Sequence, residues 1–294
     1  MMSANRNNPS PTMRRRRLGA ELRRLRESAG KVGDEVSTQL GWYSAKVSKI
    51  ETGRITVGWG DVADLLDLYG VPVGEQRDRL IALARESKST RRDEWWQPFN
   101  DLLSRNYKTA VDLETSATSL RIFEPFVIPG LLQNEDYARA IIKGRREYAE
   151  EEVERRVELR MKRQAVVATG GNLDMWVILD EAALRREIGG PEVMSRQLRR
   201  LLEVAEAPGV QVQVVPFGIG PHAAMSGSFG IFSFSEETDP DVVFVETIAG
   251  TLYLERNEDI AASKLAFEHL HAAARDLAGS LELISAAART YEQR

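Results

Sequence analysis

Residues 32–54 read VGDEVSTQLGWYSAKVSKIETGR, and the part from Tyr43 to Arg54 decides what the first domain is. Val47 and Ile50 are its only large apolar residues and stand three apart, so one helical face can pack while Ser44, Ala45, Lys46, Ser48 and Lys49 stay outside. That outer face is slender and cationic. Upstream, Val32, Val36 and Leu40 predict a short helix stopped by Gly41. Before it, Leu18, Leu22 and Leu25 predict another over Arg17 to Ala29, with Gly30 as its cap. Downstream, Val62, Leu65, Leu66 and Tyr69 predict a fourth helix, and a fifth runs from Glu75 to Ser87 beyond Pro72. Five short helices joined by tight glycine turns describe an all-α module.

A helix, a glycine turn and a second helix with a small polar outer face make a helix-turn-helix, whose second helix enters the major groove of DNA. The groove is about 12 Å wide, so such a helix needs short side chains near its start and longer donors further along. Ser44 and Ala45 supply the first, Lys46 and Lys49 the second. The charge distribution agrees. Through Gly60 there are 12 Lys and Arg against 5 Asp and Glu, whereas the remainder holds 28 against 39, within a net charge of −4. A basic head on an acidic body points to a polyanion partner for the head only, and double-stranded DNA is the expectation. Arg14 to Arg17, just before the first helix, read as a shared phosphate track.

At 294 residues the chain has room for two domains. With no cysteine, neither a disulfide framework nor a thiolate zinc site is available. No leader-like apolar segment follows the basic N-terminus and no run of about 18 apolar residues occurs, so a cytoplasmic, nucleoid-associated protein with no membrane contact is expected. Residues 1–12 read as a disordered arm, 13–72 as the helix-turn-helix domain, 73–94 as a connecting helix and linker ending in the polar run Lys88 to Glu94, and 95–294 as a second domain.

In the second domain, Leu173–Leu179, Val210–Phe217, Ser228–Ser235, Asp241–Glu246 and Thr251–Glu255 predict strands. VQVQVV and SFGIFSF alternate with period two, the pattern of a sheet with one buried face. The last three strands predict an antiparallel meander, and long helices at 151–167 and 258–290 flank it. The fold class is therefore an all-α five-helix domain followed by an α+β domain with a mainly antiparallel sheet.

No catalytic, metal or cofactor constellation stands out. His269 and His271, two apart on a helix, point to different faces. His222 lies in the glycine-rich loop FGIGPHAAMSGSF with Ser226 and Ser228 nearby, but no nucleophile elbow surrounds them. Asp180 and Glu181 read as the cap and first turn of a helix. Trp95 and Trp96 read as packed interface residues. If a small ligand binds, His222, Phe229 and Phe232 are the expected site.

The first domain resembles the lambda-repressor-like XRE helix-turn-helix family through LRRLRESAG, EVSTQLGW, KVSKIETGR and DVADLLDLYGV in order. The resemblance implies base contacts from Ser44, Ala45, Ser48 and Lys49, phosphate contacts from Lys46 and Arg54 alongside the track at Arg16 and Arg17, and an ion pair between Arg26 and Glu51. Two positions depart from the pattern. Gly33 stands where the family commonly has Gln, and Tyr43 where it has a capping Ser or Thr, so Ser44 is expected to cap the recognition helix one residue late. The second domain resembles the C-terminal domain of actinomycete XRE regulators, DUF5753 or Scr1-type antitoxin-like, through WWQPFNDLL, FEPFVIPGLLQNEDYARA and VQVVPFGIGPHAAMSGSF. That resemblance implies a regulatory or sensory domain and, as an alternative to a sequence-specific regulator, an antitoxin-like protein binding a small acidic DUF397-type partner. A homodimer is expected separately, because one short recognition helix reads too few base pairs for genomic specificity.

Overall fold

A computed structural model describes residues 11–87, 95–170, 173–235 and 239–294. Most of the N-terminal arm and the run from Lys88 to Glu94 lie outside them. The chain divides into two compact units, Met1–Trp95 together with Ser235–Pro240, and Trp96–Phe234 together with Asp241–Arg294.

Among the described residues the first unit has five helices, α1 (Pro11–Ser28), α2 (Gly33–Gln39), α3 (Ala45–Glu51), α4 (Trp59–Leu68) and α5 (Glu75–Glu86). One core joins them, with Leu18 and Leu22 of α1, Val36 of α2, Val47 and Ile50 of α3, and Leu65, Leu66 and Leu80 all nearly or fully buried. Helix α5, read from sequence as a connector, places Leu80 and Ala84 in this core and so completes the module. Two glycines set the geometry. Gly41 turns the chain between α2 and α3 at φ +67°, a conformation that costs other residues their Cβ clearance. Gly19 lets α1 lie directly on α3, because a Cβ there would sit 2.4 Å from the carbonyl oxygen of Glu51.

Helix α1 begins at Pro11 rather than Arg17, and the arginines expected ahead of it are part of it. Arg14 and Arg16 are each only 4% exposed. Gly53 approaches the backbone of Arg16 so closely that a Cβ would meet it at 3.1 Å. Arg17 is paired with Asp239, Nη2 to Oδ2 at 2.6 Å. The expected phosphate track is thus a helical segment in which Arg14 and Arg16 are packed away and Arg17 is paired inside the unit.

The second unit is a six-stranded sheet in the order β3-β2-β1-β4-β5-β6, made of β1 (Ser119–Glu124), β2 (Asp174–Asp180), β3 (Val210–Val215), β4 (Phe229–Ser233), β5 (Val242–Thr247) and β6 (Gly250–Leu254). Three of its five pairings are antiparallel, and β4, β5 and β6 form the expected meander. The other two, β1 with β2 and β2 with β3, are parallel. Parallel neighbours need long crossovers. Helices α7 (Glu135–Gly144) and α8 (Glu150–Gly170) carry the chain from β1 to β2, and α9 (Glu181–Arg185) and α10 (Pro191–Ala205) from β2 to β3. Helix α6 (Arg105–Ser116) precedes β1, and the predicted single C-terminal helix is two, α11 (Asn257–Ala273) and α12 (Leu277–Glu292). Asp276 breaks it by accepting the Gly279 N–H at 2.8 Å and capping α12.

One face of the sheet packs Phe123, Ile178, Phe229, Ile231 and Val243 against Ile260, Phe267 and Leu270 of α11. Alternation puts Leu120, Ile122 and Glu124 of β1 on the opposite face. The alternation in β3 leaves Gln211 in solvent but not Gln213. Gln213 is 3% exposed, takes the Trp176 indole N–H at 2.7 Å, donates to the Arg275 carbonyl at 2.8 Å and meets His271 Nδ1 at 2.9 Å. His271 is half-buried in this polar knot, whereas His269 is exposed, as two residues on different faces of one helix should be.

Candidate nucleic-acid interface

Helices α2 and α3 meet across Gly41, and the Trp42 N–H returns to the Ser37 carbonyl at 2.7 Å. Val47 and Ile50 are buried, while Ser44, Ala45, Ser48, Lys49 and, just beyond the helix, Arg54 are exposed. The residues expected to read bases therefore form one continuous open face. Ser44 precedes the first residue of α3 but does not cap it with its side chain. Its φ and ψ of −51° and −39° are already helical, and the first turn closes through Lys46 N–H on the Tyr43 carbonyl at 2.9 Å. The carbonyl of Ser44 accepts the Ser37 hydroxyl at 3.2 Å instead.

The helix is fixed from behind. Arg26 Nε donates to Glu51 Oε1 at 2.6 Å and Nη2 to Oε2 at 3.1 Å, a bidentate pair with both side chains mostly buried. Arg26 Nη1 also donates to the Lys31 carbonyl at 2.7 Å, which ties the α1–α2 turn to the same guanidinium. Burial and the Glu51 carboxylate together push the Tyr69 hydroxyl well above the usual phenol range.

The two lysines differ. Lys49 is exposed and lies 5.1 Å from the centre of the Tyr43 ring. Lys46 is held by Asp61 of α4 at 2.9 Å and sits 3.6 Å over the Trp42 ring. It was expected as a free phosphate donor. With only 21% of its side chain exposed, it is a clamped cation whose charge is already shared. Neither Asp61 nor Trp42 was read as part of the interface, and no local spacing connects Lys46 to a carboxylate 15 residues on.

Residues 17–80 match a helix-turn-helix domain, and residues 107–286 match a domain of unknown function, DUF5753. The chain belongs to the DUF5753 family. Its helix-turn-helix domain makes it a DNA-binding regulator, of the XRE-like type that the motifs resemble. No curated protein and no solved structure matches it. No helix among the described residues is long and apolar enough to cross a membrane.

The ligand site expected in the second unit does not converge. Phe229 and Phe232 are 9% and 2% exposed and, three apart on a strand, face opposite sides, Phe229 toward α11 and Phe232 toward Phe244 at a centroid distance of 5.2 Å. The His222 ring is 6% exposed and engaged at both nitrogens. Nδ1 accepts the Ala224 N–H at 3.3 Å, which puts its proton on Nε2, 3.4 Å from Asp180 Oδ2. Asp180 Oδ1 caps α9 through the Ala182 N–H at 2.7 Å, and Glu181 takes the Phe217 N–H at 3.0 Å. These groups latch the 216–228 loop onto the end of β2. Among the described residues no group of three or more His, Asp or Glu is placed to hold a metal ion.

Proposed function

We propose that this chain is a sequence-specific transcriptional regulator that lays α3 in the major groove, with the DUF5753 unit receiving a ligand or a protein partner. The observation that carries the reading is the exposed run Ser44, Ala45, Ser48 and Lys49 on a helix pinned from behind by Arg26 and Glu51. Short hydroxyls and a methyl near the helix start admit it to the groove, and Lys49 reaches a base edge while Arg54 takes a phosphate. One short helix reads too few base pairs for genomic specificity, so the active form is a two-fold dimer on half-sites about one helical turn apart.

The test is selection of random duplex DNA by the purified protein, followed by titration of the enriched and a scrambled site at two salt concentrations. A two-fold symmetric motif bound about a thousandfold more tightly than the scramble is expected. Binding without an enriched motif, collapsing in salt, would reduce the basic head to an electrostatic anchor. The antitoxin-like reading, with a small acidic partner encoded nearby, would then take precedence, and co-purification with that partner is its own test.

A further inference from the structure

The two aromatic residues of the α2–α3 turn stand in opposite surroundings. Trp42 is half-buried and, together with Asp61, holds Lys46 against the domain. Tyr43 is 55% exposed, beside the open face of α3. It occupies the position where the family pattern has a capping hydroxyl, yet the first turn of α3 closes on its carbonyl, so the side chain takes no part in starting the helix.

The backbone that carries this ring is held on both sides. The buried Ser37 takes the Trp42 N–H on its carbonyl at 2.7 Å and donates its hydroxyl to the Ser44 carbonyl at 3.2 Å, while the Tyr43 carbonyl accepts the Lys46 N–H at 2.9 Å. From that fixed base the ring meets Lys49, whose ammonium lies 5.1 Å from its centre, within the range of a cation–π contact. Lys49 is exposed, and among the described residues no carboxylate pairs with it. Its charge is steered by an aromatic face without being neutralised, unlike that of Lys46.

A lysine is a point charge on a flexible four-carbon stem, drawn to a phosphate as readily as to a base edge. We propose that Tyr43 is a positioning residue that keeps Lys49 over the floor of the major groove, so that it reads the O6 and N7 acceptors of a guanine in preference to a phosphate. An aromatic ring suits the task because it restrains the stem, whereas a carboxylate would spend the charge that the base must attract. The inference rests on the reading of α3 as the recognition helix.

Binding of the full chain to the duplex enriched from a random pool, and to each single-base-pair variant of that duplex, tests the assignment. Lys49→Ala should relax the choice at one guanine of each half-site by about tenfold. Tyr43→Ala should relax the same position by a similar factor while affinity for a scrambled duplex is retained. Tyr43→Phe, which keeps the ring, should keep the guanine preference, and adding Tyr43→Ala to Lys49→Ala should cost no further selectivity. Four results overturn the role: a guanine preference that survives Tyr43→Ala, a change at a base pair that Lys49→Ala does not affect, equal weakening on enriched and scrambled duplexes, or a Tyr43→Phe variant as unselective as Tyr43→Ala. The enrichment step separates the two claims. A wild-type chain that selects no motif sinks the recognition-helix reading along with this one, whereas a wild-type motif left unaltered by Tyr43→Ala sinks this one only.

Discussion

Among individual side chains, the proposed recognition face divides into what a sequence reveals and what it hides. The pattern of buried Val47 and Ile50 against exposed Ser44, Ala45, Ser48 and Lys49 was legible because helical period alone sorts them. The Arg26–Glu51 pair followed from the family resemblance. The Lys46–Asp61 pair was not legible, since its partner arrives on another helix. Arg26→Ala should lower the stability of the first unit by about 2–3 kcal/mol, less than a fully buried pair because both side chains keep some solvent access. Urea unfolding followed on that unit checks it. Asp61→Asn frees Lys46 and deletes a negative charge from the proposed DNA-facing side. It should raise affinity for any duplex severalfold and steepen the dependence of log K on log salt by about one. An unchanged salt slope would show that Lys46 stays clear of phosphate even when released. Glu124 supplies a pH prediction. Its folded carboxyl is raised by burial to about 8 from the ordinary 4.5, so between those values the folded chain holds a proton that the unfolded chain has released. Stability therefore falls as pH rises through that window, by at most about 1.4 kcal/mol per unit. Glu124→Gln should flatten the fall, and thermal unfolding from pH 5 to pH 8 in both proteins measures it.

Among helices and strands, five strands were legible from β-branched and aromatic runs, but β1 was not. SLRIFE is buried at four of its six positions and runs into Pro125, so it shows neither clean alternation nor a turn signal. Missing β1 also hid the parallel half of the sheet, because β1 is the strand that joins the parallel and antiparallel halves. In the first unit the element that most constrains function is the crossing of α1 over α3. A glycine inside an arginine-rich helix costs about 1 kcal/mol of helix propensity, and that local penalty was the available sign of a close approach. Gly19→Ala would drive a Cβ against the Ile50 and Glu51 carbonyls. The variant should lose about 2 kcal/mol or more in thermal unfolding and bind its operator more weakly, because α3 must tilt to relieve the clash. Full operator affinity in that variant would mean α3 can shift without leaving its reading position.

For the chain as a whole, the charge split between head and body is plain from residue counts alone, and the assignment of a DNA-binding first domain and a DUF5753 second domain agrees with it. The partition of the chain was less legible. Ser235–Pro240 belongs with the first unit although most of the second unit's sequence separates it from the rest of that unit. Nothing in its composition announces that. The dimer expected for specific binding predicts a mass in solution near twice the 32.9 kDa of one chain at the concentrations used for DNA titration. Sedimentation checks it, and a monomer that still selects a symmetric motif would place assembly on the DNA itself.

The pairing of Arg17 with Asp239 also fixes an order of events during synthesis. Asp239 is 222 residues downstream of its partner and only 3% of its side chain is exposed. While the nascent chain is still on the ribosome, the first helix has already emerged with a guanidinium whose carboxylate has not yet been translated. A fragment that stops at Trp95 keeps every helix of the reading head but never acquires that last piece, so the isolated head and the same head within the complete polypeptide are not chemically equivalent.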